Sequence, residues 1–190
     1  MMLMSQITRL KARFGRFSQD TRGSVNIEAL LFFPLLITLI ASTIVFYDAF
    51  RRDSLAQKAA YTIGDMISRE TEAINPTVVS SARDLVALMS DVTRDDVSVR
   101  VTQVVYNKAA DEYRRNWSQR SGAHAPVLDN ADLATMTDNL PIMVGGERII
   151  LVDVYVDFEW PIELGFDDFT YHTQVFTRPR FAPQLAWSNN

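Results

Sequence analysis

The chain has 190 residues, no cysteine, 19 basic against 23 acidic side chains and 47% apolar residues. That length leaves room for one membrane anchor and one modest domain, and the missing cysteines exclude disulfides and thiolate metal sites. The charge is uneven: residues 1–28 carry Arg9, Lys11, Arg13, Arg16 and Arg22 against Asp20 and Glu28, or +3, and the rest holds 14 basic and 21 acidic residues, or −7. An acidic C-terminal part lacks the positive footprint that nucleic-acid binding needs.

Residues 1–22 read as a basic, polar leader. Residues 29–47 follow as 19 residues without a charge. At about 1.5 Å per residue they span roughly 28 Å, the thickness of a hydrocarbon core. The run is too long for a signal-peptide core and ends in Phe46-Tyr47-Asp48 rather than in a cleavage site. A basic flank places the N-terminus in the cytoplasm and the acidic domain outside a bacterial inner membrane, in the periplasm. Pro34 lies inside the run, where it withholds a hydrogen bond from the Leu30 carbonyl and favours a kink.

Beyond the run, Leu55, Ala59, Ile63, Met66 and Ile67 recur at helical spacing, so the same helix continues to about residue 69, with Gly64 as its weak point. Asn75-Pro76 marks the start of a second helix over residues 77–90, with Val78, Val79, Ala82, Leu85, Val86 and Met89 on one face.

Strand patterns follow. Val97, Val99 and Val101 alternate with Ser98, Arg100 and Thr102. Residues 113–119 form a weaker strand around Trp117, residues 129–140 a short helix before Pro141, and Gly145-Gly146 a turn. In residues 150–160, Ile150, Val152, Val154, Val156, Phe158 and Trp160 share one face; Asp153, Asp157 and Glu159 share the other, which is expected to be wet. A last strand covers residues 169–178. Helices first and strands second give an α+β fold: a long N-terminal transmembrane helix runs into an exported domain in which a second helix packs on an antiparallel sheet of about four strands.

Glu28 stands at the threshold of the apolar run, where a carboxylate costs energy. The surrounding residues Asp20-x-Arg22-Gly23-Ser24-Val25-x-Ile27-Glu28-Ala29-Leu30, with Phe33-Pro34-Leu35-Leu36 after them and Arg178-Pro179-Arg180-Phe181 near the end, resemble the TadE-like pseudopilins of tight-adherence pilus systems, within the type IV pilin-like class. This resemblance implies a leader cut between Gly23 and Ser24 by a prepilin peptidase, with glutamate at the fifth mature position. Ala29 replaces the aromatic residue that often follows that glutamate. Independently of the family, such a cut frees an α-amino group with an unperturbed pKa of about 7.7–8.0. Ser24 and Glu28 sit at i and i+4, so the carboxylate reaches that amine or a neighbouring subunit's.

The expected organisation is a leader over residues 1–23, a transmembrane helix over 24–47, its continuation over 48–70 and an exported α+β domain over 71–190. The expected function is that of a minor pseudopilin in pilus assembly or secretion. Its partners are the prepilin peptidase, other pilin-like subunits, inner-membrane assembly proteins and lipid, with neither nucleic acid nor a small-molecule substrate. The alternative is an uncleaved single-pass scaffold whose exported domain binds other envelope proteins. No enzyme, cofactor or metal site is expected. His124 and His172 stand alone in sequence, and Asp95-Asp96 and Asp167-Asp168 read as solvated turns. Trp117, Phe158 and Trp160 read as core residues, whereas no periodicity buries Trp187.

Overall fold

A computed structural model describes residues 22–124, 126–160 and 167–189. It is α+β: a long apolar N-terminal helix, a second long helix and a four-stranded antiparallel sheet. Helix α1 (Arg22–Ser68) runs through Pro34 without interruption. The chain divides into two compact units, Met1–Tyr47 and Asp48–Asn190. In the first, the large apolar side chains from Ile27 to Tyr47 are mostly exposed, Leu30 at 78%. This is the one helix among the described residues long and apolar enough to cross a membrane.

In the second unit, α1 presents Ala56, Ala59, Ala60, Ile63 and Ile67, all fully buried, to the sheet. The stripe is narrower and smaller than the periodicity predicts, and Met66 lies at its exposed edge. Helix α2 (Pro76–Ser90) starts where Asn75 Oδ1 accepts from the Val78 backbone N–H at 3.0 Å, and it buries Val79, Ala82 and Val86. The strands are β1 (Val97–Asn107), β2 (Glu112–Ser121), β3 (Arg148–Phe158) and β4 (Phe169–Thr177), in the spatial order β2-β1-β3-β4. Between β2 and β3 lie helix α3 (Asn130–Thr135), closed by a reciprocal Asp129/Asp132 capping box, and one 3-10 turn, so residues 129–140 are two short pieces rather than one helix.

The sheet has two covered faces. Val97, Val99, Val101, Ile150, Val152, Val154 and Val156 pack under α1 and α2. On the opposite face, Val104, Ile149 and Leu151 lie under Leu128, Leu133, Leu140 and Met143. The expected wet face of β3 is therefore corrected: Asp153 is 0% exposed, and its neighbours Ser98, Arg100 and Thr102 on β1 are buried too. The bounds of β3 also shift. Arg148 and Ile149 join it, while Glu159 and Trp160 lie beyond its end. Trp160 is half-buried and packs edge-on to Phe158, with ring centroids 5.1 Å apart.

Trp187, for which periodicity offers no seat, packs on Trp117 with ring centroids 5.6 Å apart. The tail is tied down by backbone bonds of 2.8 Å from Ile74 N–H to Ala186 O and from Ser188 N–H to Ile74 O. The Trp117 indole N–H also donates to Leu185 O at 2.8 Å. Strand spacing cannot announce such an anchor, because the tail's partners are 68 residues and more away.

Two glycines behave oppositely. A Cβ on Gly64 would meet Val175 and Thr177 at ordinary distances of 3.6 and 3.8 Å. Gly64→Ala is therefore expected to raise stability by up to about 1 kcal/mol through helix propensity. Gly122 has φ +111°, and a Cβ there would lie 2.7 Å from Ser98 Cα. Gly122→Ala is expected to destabilise the protein by roughly 2–3 kcal/mol. Urea unfolding of the full chain in micelles checks both signs.

Candidate functional site

The predicted processing and assembly residues all lie on α1. Gly23 and Ser24 fall in its first turn, and Glu28 lies one turn further on, exposed, at the i+4 position from Ser24. Six residues beyond Glu28, Pro34 sits within the helix, and the Thr38 hydroxyl donates to its carbonyl at 2.9 Å. A helical backbone over residues 24–28 is the condition for a Glu28 carboxylate to lie on the same face as a new amine at Ser24. The exposed apolar run that starts at Ala29 then sets the dielectric in which such a pair would form.

A second assembly of charges, which the sequence pattern does not announce, occupies the sheet face away from α1 and α2. Arg100 on β1 and Asp153 on β3 are cross-strand partners, with Arg100 Nε donating to Asp153 Oδ2 at 3.0 Å. The same guanidinium donates to the Pro126 carbonyl at 2.7 Å and to the Tyr155 hydroxyl at 3.2 Å. The other carboxylate oxygen of Asp153 receives the Gln174 amide and His172 Nε2, each at 2.9 Å. His172 in turn stacks on the Tyr155 ring, with centroids 4.4 Å apart and planes within 6°. Further along the same face, His124 Nε2 lies 2.8 Å from Asp157 Oδ2, and the Thr170 hydroxyl donates to Asp157 Oδ1 at 2.6 Å. The His124 backbone N–H donates to the Ser98 hydroxyl at 3.0 Å. His124 thus has a carboxylate partner that its loop sequence does not reveal.

Electrostatics explain why a buried charge is tolerated in this position. Burial alone pushes the Asp153 carboxyl up, but the His172 hydrogen bond, the Arg100 charge and the Gln174 amide outweigh it and hold it below its ordinary value. A carboxyl lowered in the folded state adds stability that is present above its unfolded value of about 3.9 and is lost as pH falls through the folded value. Stability of the full chain is therefore expected to decline as pH drops below about 4, and the acid limb of an Asp153→Asn variant should be flatter. Identical acid limbs would contradict this. Tyr171 is pushed up to about 12, first by burial and then by the Asp53 charge, so its hydroxyl stays protonated and donates to Ala49 O at 2.7 Å.

The arrangement ties His124 and Pro126 to the sheet through the Pro126 carbonyl, the His124 backbone and the His124–Asp157 pair. The hydrogen-bond partner of each imidazole among the described residues is a carboxylate, Asp157 for His124 and Asp153 for His172. Among the described residues no three histidine or acidic side chains converge on a point where a cation could sit. Asp95 and Asp168 are exposed, as a turn reading expects; Asp168 accepts from the Trp160 backbone N–H at 3.1 Å. The signal that could have found the clamp was the pair of opposite charges at the centres of two alternating strands, Arg100 and Asp153.

No protein-family model, curated protein or solved structure matches this chain.

Proposed function

We propose that the protein is a minor pseudopilin-like subunit of a tight-adherence-type pilus or secretion assembly, held in a bacterial inner membrane by α1 with its α+β unit in the periplasm. The observation that carries the reading is the unbroken helix on which Gly23, Ser24 and Glu28 precede an exposed apolar run. A prepilin peptidase would cut after Gly23, and the new amine would pair with Glu28 of the same or an adjacent copy, fixing the axial register of neighbouring helices. The basic residues before Gly23 would keep the leader on the cytoplasmic side until it is removed. Pro34 would supply a flexible point as helices repack.

Gly23→Val tests the processing step, because a branched side chain in place of hydrogen blocks the substrate's close approach to a peptidase. The variant is expected to keep its 23-residue leader, seen as a slower band on a denaturing gel of membranes, while remaining membrane-bound. A native chain that runs level with this variant, its leader still attached, would leave the uncleaved-scaffold reading, in which α1 is a permanent tether. A variant cleaved as fully as the native chain would remove Gly23 from the processing site.

A further inference from the structure

The two edges of the sheet are built differently. Edge strand β2 carries Glu112, Arg114, Arg115 and Arg120, has an irregular register opposite Gln103 and Val104, and has the Arg115 backbone N–H capped by Asn130 Oδ1 at 2.8 Å. Charges, bulges and caps are the means by which sheets prevent another strand from pairing with an edge. Edge strand β4, Phe169-Thr170-Tyr171-His172-Thr173-Gln174-Val175-Phe176-Thr177, has no lysine, arginine, acid or proline, and its register with β3 is continuous from Phe158↔Phe169 to Ile150↔Thr177. Among the described residues, no backbone hydrogen bond other than those to β3 reaches it. Its unguarded length is bounded by Asp167 and Asp168 on one side and by Arg178 and Arg180 on the other.

We infer that β4 is a strand-addition site for an extended segment of another protein. That segment is uncharged where it lies along β4, acidic beside Arg178 and Arg180, and basic beside Asp167 and Asp168. Main-chain hydrogen bonds supply the affinity and the end charges supply direction and register. Both arginines remain more than half exposed, although Arg178 pairs with Glu147 and Arg180 lies 3.4 Å from Asp65. A second copy of this chain is disfavoured by geometry. Residues 48–68 of α1 run alongside β4 in the same direction, with Ala49 against Tyr171 and Gly64 against Val175 and Thr177. An antiparallel β4–β4 pair would make the two helices run oppositely, whereas copies anchored in one membrane must leave it the same way. The inference does not depend on removal of the leader.

The probe is a synthetic peptide of residues 167–180, acetylated and amidated, which has the required order of acid, neutral stretch and base. Laid antiparallel and centred on Thr173, it puts its Asp168 opposite Arg178. Amide hydrogen exchange is followed on the full-length protein in micelles. Expected are saturable slowing over residues 169–177 with β2 unchanged, about tenfold weaker binding of a peptide with its acids and arginines interchanged, and a similar loss for Phe176→Lys protein. N-methylation of one alternating set of peptide amides should abolish binding and methylation of the other should not. Absence of slowing, equal slowing of β2, or indifference to N-methylation would overturn the proposal. Concentration-dependent slowing at β4 without peptide would overturn the choice of occupant in favour of a second copy.

Discussion

Asp153→Asn is expected to destabilise the protein by about 3–5 kcal/mol, more than Gly122→Ala, because it leaves the Arg100 guanidinium charged, buried and facing a neutral amide. Arg100 and Asp153 have side-chain exposures of 5% and 0%, so water cannot stand in for the lost partner. The amide also keeps only one of the two oxygens, so either Arg100 or the pair His172 and Gln174 faces an NH2 group in place of an acceptor. Arg100→Met with Asp153→Leu together should recover more than half of the loss, because removing both charges also removes both desolvation costs. Urea unfolding of the full chain in micelles gives both numbers. A loss below about 1 kcal/mol for the single variant would mean that the pair is solvated like a surface ion pair.

Glu28→Leu is the second large effect, and it concerns assembly rather than folding. Leucine is better tolerated than glutamate beside lipid, so the variant should insert at least as well as the native chain. What it would lack, under the proposed function, is the counter-charge for an amine freed at Ser24, which would then stay unpaired among packed helices. Pilus output from cells carrying this variant should fall to background while the amount in membranes is unchanged. Normal output with Glu28→Leu would remove the carboxylate from the mechanism.

These two residues also show what the sequence can disclose. The helical, exposed position of Glu28 ahead of an apolar run is legible because its setting is local: a charge-free stretch follows it directly in the chain. The helical stripe, the Asn75 cap and the valines of β1 and β3 are legible for the same reason, since each rests on neighbours in the chain. Asp153 is legible as a strand residue, but its expected wet environment is wrong. Alternation separates two faces of a strand without saying whether the polar face meets water or a returning segment. In this chain residues 126–143 fold back over it, and their single short helix and turn have too little periodicity to declare which face they cover. The seats of Trp187 and His124 are hidden likewise, since both are fixed by partners far off in sequence. Gly64, a weak point by helix propensity, faces the sheet among small residues, where helix and strand approach closely.

The clamp and the helix belong to different levels of the account. Arg100–Asp153 bears on the stability of the α+β unit, in which β3 carries Asp153 and pairs with β4. In the proposed function, Glu28 would bear on what α1 does once the unit is made. A destabilised clamp should lower protein abundance, whereas a changed Glu28 should lower assembly at constant abundance.

Mass spectrometry of the intact protein, taken from its own membranes, decides the central claim most directly. The account predicts a chain that begins at Ser24, its free amine four residues from the glutamate. A native chain still carrying residues 1–23 would contradict it.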